Sequence, residues 1–82
     1  MSKEKIKTIA DMMPKEKGRV LKISGKAQLR RRLLDMGILP GALVEMVRHA
    51  PLGDPIDLKI KGYHLSLRKS EAAHITIKKA GS

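Results

Sequence analysis

The sequence predicts a single all-β domain, a small β-barrel of about five short strands with one inserted α-helix. Three observations point to this fold class. The chain has 82 residues, which is enough for one domain and too few for two. Short runs of alternating or β-branched residues recur along it and are separated by Gly and Pro. Only residues 26–36 carry apolar side chains at helical spacing.

The first 24 residues predict two strands joined by a turn. Residues 6–13 are punctuated by apolar side chains, a pattern typical of one short strand followed by a helical turn. Residues 14–18 begin with Pro and end with Gly18, and we expect this glycine to take a positive φ in the turn. The alternating and β-branched residues 19–24 predict the second strand.

The inserted helix is predicted over residues 26–36. Its apolar residues recur at i, i+4 and i+7 and form one stripe, made of Leu29, Leu33 and Met36. Gly37 follows at the position where a residue in the left-handed conformation commonly ends a helix. Pro40–Gly41 fits the central pair of a type II turn, because Pro fixes φ and Gly accepts the positive φ.

The second half of the chain predicts four further strands and a helical turn. Residues 43–49 form the first of these strands, and residues 56–61 alternate strictly between apolar and polar side chains. A short helical turn is expected over residues 70–73, with Ser70 as its N-cap. Residues 74–78 predict the last strand.

The strand at residues 56–61 is predicted to form a hairpin with the residues that follow it. Gly62–Tyr63 is the expected two-residue turn, of the kind with Gly in its first central position. This turn would place Lys61 opposite His64, Ile60 opposite Leu65 and Leu58 opposite Leu67. Both apolar sets then lie on one face of the sheet, which supports the register.

These elements predict one domain over residues 6–79, with flexible ends at residues 1–5 and 80–82. A helix inserted between strands, then a tight hairpin and a one-turn helix before the last strand, resembles an SH3-like barrel. Closure of such a barrel removes the exposed strand edges that would otherwise invite aggregation.

The charge of the chain suggests a class of partners. Lys and Arg together number 18 against 8 acidic residues, which gives a formal net charge of +10. Such a field attracts nucleic acid, anionic lipid or an acidic protein surface. Binders of single-stranded nucleic acid usually offer several stacking rings, whereas Tyr63 is the one aromatic residue here. Nucleic acid is therefore a disfavoured partner, and a small basic barrel that binds RNA or a ribosomal site stays open as the alternative function.

The composition also limits the cellular location of the protein and the chemistry that it can carry out. The chain has no Cys, so it predicts neither a disulfide nor a thiolate metal site and fits a reducing cytosol. No apolar run approaches the ~20 residues of a membrane span. No nucleophile–His–acid, paired-carboxylate or Gly-rich phosphate-loop signature is present. We therefore expect a cytoplasmic protein that is not an enzyme and uses no cofactor or small-molecule substrate.

Two stretches of the chain carry a family resemblance. Residues 29–41 read LRRRLLDMGILPG, and residues 50–56 read APLGDPI. Together with Gly18-Arg19-Val20 and Leu67-Arg68, they resemble the FeoA family over roughly residues 9–77. The resemblance implies an SH3-like accessory protein of bacterial ferrous iron uptake. It also implies that the protein acts on a FeoB-like membrane transporter, through that transporter's cytosolic G-protein region, and has no catalytic activity of its own.

Three successive arginines, Arg30, Arg31 and Arg32, lie on the predicted helix. They spread over about 200° of the helix, so they cannot all face one partner. They predict either a solvated helix face or a contact of one or two guanidinium groups with an acidic partner. Arg31 could instead pair with Asp35 at i, i+4.

The loop between the prolines, Pro51–Pro55, is the stronger candidate for a contact. Its two prolines keep it semi-rigid. Leu52 at its apex either anchors a partner or folds back over the barrel end. Asp54 is expected to make a local hydrogen bond within the turn.

The predicted partner-binding surface combines the helix end with this loop. Met36 and Leu52 are its expected apolar anchors, and charged residues would steer the encounter more than they set affinity. The predicted set is Met36, Gly37, Leu39, Leu52, Asp54, Arg30, Arg31 and Lys61. Imidazole suits Fe(II), but the spacing of His49, His64 and His74 predicts no metal site.

Overall fold

A computed structural model describes residues 6–80 as six strands and two helices. The strands are β1 (Ile6–Thr8), β2 (Lys17–Ile23), β3 (Leu43–His49), β4 (Ile56–Ile60), β5 (Tyr63–Leu67) and β6 (Ile75–Lys79). The helices are α1 (Ala27–Asp35) and α2 (Lys69–Ala72), and a 3-10 turn over Ile9–Asp11 follows β1. Flexible ends were predicted at residues 1–5 and 80–82; of these, residues 1–5 and 81–82 lie outside the described residues. Neither helix within residues 6–80 has the length and hydrophobicity of a membrane-spanning segment.

All six strands form one antiparallel sheet, in the order β1-β6-β2-β3-β4-β5. Two strands carry a β-bulge: Leu21 is the extra residue of β2 against β6, and Val47 that of β3 against β4. Bulges bend a strand and increase its twist, which lets the sheet curl around its core. The predicted all-β class with one inserted helix is confirmed. The sheet has six strands rather than about five, and its edge strand β1, which pairs with β6, lies within residues 6–13, where a short strand was predicted.

The core is entirely aliphatic apart from methionine, as expected of a chain without Phe or Trp. Alternation along β4 buries Ile56, Leu58 and Ile60 and leaves the two residues between them facing outward. The remaining buried apolar positions come from β2, β3, β5 and β6, from both helices and from the connecting segments: Ile9, Met12, Val20, Leu33, Ile38, Val44, Met46, Leu67, Ala72, Ile75 and Ile77.

The β4–β5 hairpin turns at Lys61–Gly62 rather than at Gly62–Tyr63. Both turn residues take positive φ, 51° and 87°, as a type I′ turn requires. Ile60 therefore pairs with Tyr63, two residues away from the predicted register. Side chains alternate with a period of two, so a shift by two preserves the buried face. For this reason the apolar pattern could not distinguish the observed turn from the predicted one.

The predicted role of Gly18 was also wrong. Gly18 lies within β2, where a Cβ would come within 2.7 Å of the Ile77 Cδ1 atom. The positive φ of the preceding turn, 72°, falls on Lys15 instead. Glycine is thus needed at position 18 for close packing against β6, not for turn geometry.

The short helix α2 begins after Arg68, so Ser70 is not its N-cap. The Glu71 carboxylate accepts the Arg68 backbone N–H at 2.9 Å, and the Asp54 carboxylate accepts the Lys69 N–H at 2.9 Å. Asp54 was predicted to bond within its own turn, and it instead satisfies a free N–H at the start of a helix 15 residues away. This contact fixes the loop before β4 to α2.

A buried carboxylate ties together three segments of the barrel. The Glu16 side chain is 6% exposed, and it accepts the Met13 N–H at 2.7 Å. Its Oε2 atom lies 2.8 Å from Lys7 Nζ on β1 and 4.0 Å from Lys79 Nζ on β6. Burial of Glu16 opposes its ionisation, but these partners outweigh that cost and lower its pKa. The ionised form is therefore the one that stabilises the fold.

We expect Glu16→Gln to lower the free energy of unfolding at pH 7 by about 1.5–3 kcal/mol, the range for a lost charge-assisted hydrogen bond. A lowered folded-state pKa contributes stability above the usual value of 4.5 and loses it as pH falls below that value. The difference in unfolding free energy between wild type and variant should therefore shrink towards pH 3. Urea unfolding followed by circular dichroism measures it. Glu45→Gln, at a half-buried carboxylate on β3, is the matched control. A difference in unfolding free energy that does not change with pH would contradict the conclusion that ionised Glu16 stabilises the fold.

Candidate partner-binding surface

Helix α1 lies on the outside of the barrel and is held by one face. Leu33 is its one fully buried residue, with Leu29 and Met36 partly buried against the core. This stripe is the one predicted from the apolar spacing. On another face, Arg32 pairs with Glu71 of α2. The rest of the helix surface is exposed to solvent.

The end of α1 has the predicted geometry. Gly37 takes a φ of 94°, its N–H donates to the Leu34 carbonyl at 3.0 Å, and the Ile38 N–H donates to the Leu33 carbonyl at 3.0 Å. These two bonds form a Schellman motif. Gly41 has a φ of 92° beside a 2.9 Å bond from the Ala42 N–H to the Leu39 carbonyl, which fits the predicted type II turn.

Tyr63 joins this helix end to the β4–β5 hairpin. Its hydroxyl donates to the Met36 carbonyl at 2.8 Å, and a Cβ at position 37 would lie 2.5 Å from the hydroxyl oxygen. Lys61 belongs to the adjacent turn, so the structure brings Met36, Gly37 and Lys61 to one end of the barrel. Sequence reasoning assigned Tyr63 to the turn and missed this contact. Two features of the sequence could have indicated this contact: Tyr63 is the one aromatic residue of the chain and lies beside a hairpin turn, and the helix ends at Gly37, where no side chain blocks the approach of a ring.

A groove of about 490 Å³ runs between α1 and β2 and is termed the α1 groove. Its apolar lining is Leu21, Ile23, Ala27, Leu34 and Pro40, and its charged lining is Lys22, Arg30, Arg31 and Asp35. Two of the three successive arginines thus share this surface, while Arg32 is engaged with α2. No ion pair joins Arg31 to Asp35 within residues 6–80. Leu39, next to Pro40, is also exposed.

Leu52 lies on a separate surface. It is 95% exposed, so it does not fold back over the barrel. Its loop follows the pairing of His49 with Ile56, whereas Lys61 follows the far end of β4, about 13 Å away at the usual rise per residue. The structure therefore splits the predicted set into two parts. Met36, Gly37, Leu39, Arg30, Arg31 and Lys61 lie around α1 and the hairpin next to it, and Leu52 and Asp54 lie at the opposite end of β4.

The outer face of the β3–β5 sheet carries a charged cluster. Asp57 accepts hydrogen bonds from the Ser66 hydroxyl at 2.6 Å and from Arg48 Nε at 3.0 Å. These two bonds lower the pKa of Asp57. Arg48 is therefore already paired, whereas Arg30 and Arg31 have no ion pair in the described part of the chain.

The histidines are dispersed. His49 Nε2 lies 2.8 Å from the Met12 carbonyl oxygen, and His74 Nδ1 lies 3.4 Å from the Ser24 hydroxyl. Across the described part of the chain, no three His, Cys, Asp or Glu side chains form a group that could hold a metal ion. The surface around α1 offers exposed apolar side chains, and Arg30 and Arg31 form no ion pair with any residue from 6 to 80. Both features are means of binding a partner.

Comparison with solved structures identifies the architecture. An FeoA-like protein from Clostridium acetobutylicum is 38% identical, with a TM-score of 0.86 over 100% of this chain and 93% of that chain. A zinc-complexed FeoA from Stenotrophomonas maltophilia, described as a procaryotic SH3 domain protein, has a TM-score of 0.74 at 24% identity. That match covers 85% of this chain and 87% of the other. The predicted SH3-like fold is confirmed.

Sequence comparison identifies the family. The family model of the FeoA domain matches residues 7–79. A curated relative from Porphyromonas gingivalis (strain ATCC BAA-308 / W83), an Fe(2+) transport protein A/Fe(2+) transporter FeoB fusion protein, is 36% identical over 58 residues. That alignment covers 71% of this chain and 7% of the fusion protein, so the chain corresponds to a small part of that relative. With its sequence motifs, its fold and this match in agreement, the chain belongs to the FeoA family.

Proposed function

We propose that the protein is a cytoplasmic accessory factor of bacterial ferrous iron uptake, which binds the cytosolic G-protein region of a FeoB-like transporter. The observation that carries this proposal is the fusion protein, whose name joins Fe(2+) transport protein A to the transporter FeoB in one chain. Covalent linkage gives two modules a high effective concentration. A separate chain of the same family would need a binding surface to achieve the same association.

The surface around α1 is suited to this role. Leu21, Leu34 and Leu39 are each about two-fifths exposed there, and exposed apolar side chains near charged ones are typical of interaction sites. The formal net charge of +10 would steer an acidic partner surface towards the protein. In this proposal Met36, Gly37 and Lys61 hold or flank the contact, and Arg30 and Arg31 increase its rate of formation.

Leu52 would provide a second contact at the other end of β4. Its loop is fixed by the bond between Asp54 and the Lys69 N–H, so the side chain is presented on a restrained backbone. A restrained anchor loses less conformational entropy on binding than a mobile one. A folded partner domain is large enough to reach both ends of a strand of five residues.

The proposal is tested by size-exclusion chromatography and calorimetry with the full chain and the isolated G-protein region. We expect co-elution at physiological salt, and we expect Leu52→Asp to weaken binding by roughly tenfold or more if Leu52 is an anchor. Met13→Asp, at another exposed apolar residue that belongs to neither surface, is the matched control.

Absence of co-elution, together with unchanged iron uptake in cells carrying Leu52→Asp, would show that the proposal is wrong. Binding to RNA, with log affinity falling steeply with log salt at about −0.7 per contacted phosphate, would instead support the RNA-binding alternative.

A further inference from the structure

The backbone of β2 has a free edge where it borders the α1 groove. Residues 17–19 of β2 pair with β3. The next residue, Val20, bonds to the Pro40 turn: its N–H donates to the Ala42 carbonyl at 2.8 Å, and its carbonyl accepts the Gly41 N–H at 2.7 Å. Beyond Val20, the strand pairs with β6 on one side. Within residues 6–80, no backbone hydrogen bond reaches residues 21–23 from the other side.

This free edge leads into the α1 groove. Pro40, next to the Gly41 N–H that bonds Val20, lines the groove together with residues 21–23. An unpaired strand edge is a template for an additional strand, and the chain provides no such strand here within the described residues. The groove volume of about 490 Å³ is within the range of ligand-binding sites.

The side chains that flank the edge indicate the composition of an occupant. Leu21, the extra residue of the β2 bulge, and Leu34 of α1 are both exposed, and both line the groove. Three cations and one carboxylate line the same groove, Lys22, Arg30, Arg31 and Asp35, which leaves a net charge of +2. A lining that combines apolar side chains with a net positive charge complements a segment that carries both apolar and acidic side chains.

We propose that the α1 groove accepts an extended acidic segment of the partner, which adds as a strand along residues 21–23 of β2. In this β-augmentation, backbone hydrogen bonds supply affinity and alternate side chains supply specificity. Apolar side chains of the segment would contact Leu21 and Leu34, and acidic ones would face Arg30 and Arg31. The identity of the partner as a FeoB-like G-protein region rests on the proposed function, but the chemistry of the groove does not.

The groove is tested first with a synthetic hexapeptide of alternating glutamate and valine. We expect the peptide to shift the backbone amide resonances of residues 21–23 and of α1 in the ¹⁵N-labelled full chain. The same peptide with alternate amides N-methylated should bind at least roughly tenfold more weakly, since it lacks the strand donors. A lysine–valine peptide should not bind. Absence of shifts, or equal binding of the N-methylated peptide, would overturn the proposal.

The groove is tested next with the isolated G-protein region of the transporter. We expect Leu34→Glu and Arg30→Glu to weaken its binding by roughly tenfold. Leu43→Glu is the matched control, because Leu43 and Leu34 are both 41% exposed and Leu43 lies outside the groove. If the region binds wild type and Leu34→Glu equally, strand addition is wrong and the proposed function stands. If the region does not bind wild type while the hexapeptide does, the groove assignment stands and the proposed partner is wrong.

Discussion

Leu33→Ala is expected to lower the free energy of unfolding by about 2–5 kcal/mol, the range for truncating a buried leucine. Leu33 is fully buried and is the one residue of α1 that reaches the centre of the core. Natural domains have only about 5–15 kcal/mol of stability in total, and a domain of this size lies towards the lower end. The variant should therefore show a clear loss in urea unfolding followed by circular dichroism, and we expect partial unfolding at 37 °C.

Leu34→Ala is the control for this prediction. It makes the same substitution at the next residue, which is 41% exposed, and should change stability by less than about 1 kcal/mol. A similar loss in both variants would show that α1 does not dock through the Leu33 face.

Gly37→Ala is expected to lower the free energy of unfolding by about 2–3 kcal/mol, as the sum of two effects. A side chain at a φ of 94° costs about 1–2 kcal/mol. The new Cβ would also lie 2.5 Å from the Tyr63 hydroxyl oxygen, so Tyr63 must move and lose its bond to the Met36 carbonyl. Such a bond is worth about 1 kcal/mol.

Two further variants separate these effects. Gly41→Ala places a side chain at a φ of 92° with no atom within 4 Å of the new Cβ, so it should show the backbone cost alone. In a Tyr63→Phe background the hydroxyl is absent, and Gly37→Ala should cost less than it does in wild type. Equal costs in both backgrounds would contradict a steric conflict between positions 37 and 63.

The sequence predicts most of the local structure, because each element has a strong local signal. The helix stripe, the stop at Gly37 and the Pro40–Gly41 turn depend on interactions within a few residues. The predictions that failed depend on contacts between distant segments, or on a choice between two turns that the local sequence favours equally. Lys61–Gly62 and Gly62–Tyr63 both leave the apolar face unchanged. Arg68 rather than Ser70 is the N-cap of α2, and there Glu71 accepts the Arg68 N–H and Asp54, 15 residues away from Lys69, accepts the Lys69 N–H.

The candidate site is less predictable than the fold. Leu52 is exposed at a loop apex as one of the two expected readings had it. Its separation from Met36 follows from the strand order, and neither residues 29–41 nor residues 50–56 indicate this separation by themselves. The α1 groove is likewise formed by residues far apart in sequence, together with a bulge at Leu21 that interrupts simple alternation. Arg30 and Arg31 were both predicted as partner-binding residues, and the structure adds the apolar side chains that line the groove with them.

The hydroxyl bond of Tyr63 also makes the protein its own optical probe. The chain has one Tyr and no Trp or Phe, so all of its intrinsic fluorescence comes from a single ring. That ring is bonded to the last turn of α1 through the Met36 carbonyl. Any ligand that displaces the end of α1 changes the environment of this phenol. An unlabelled titration with a peptide that has no aromatic residue can therefore be followed by tyrosine emission.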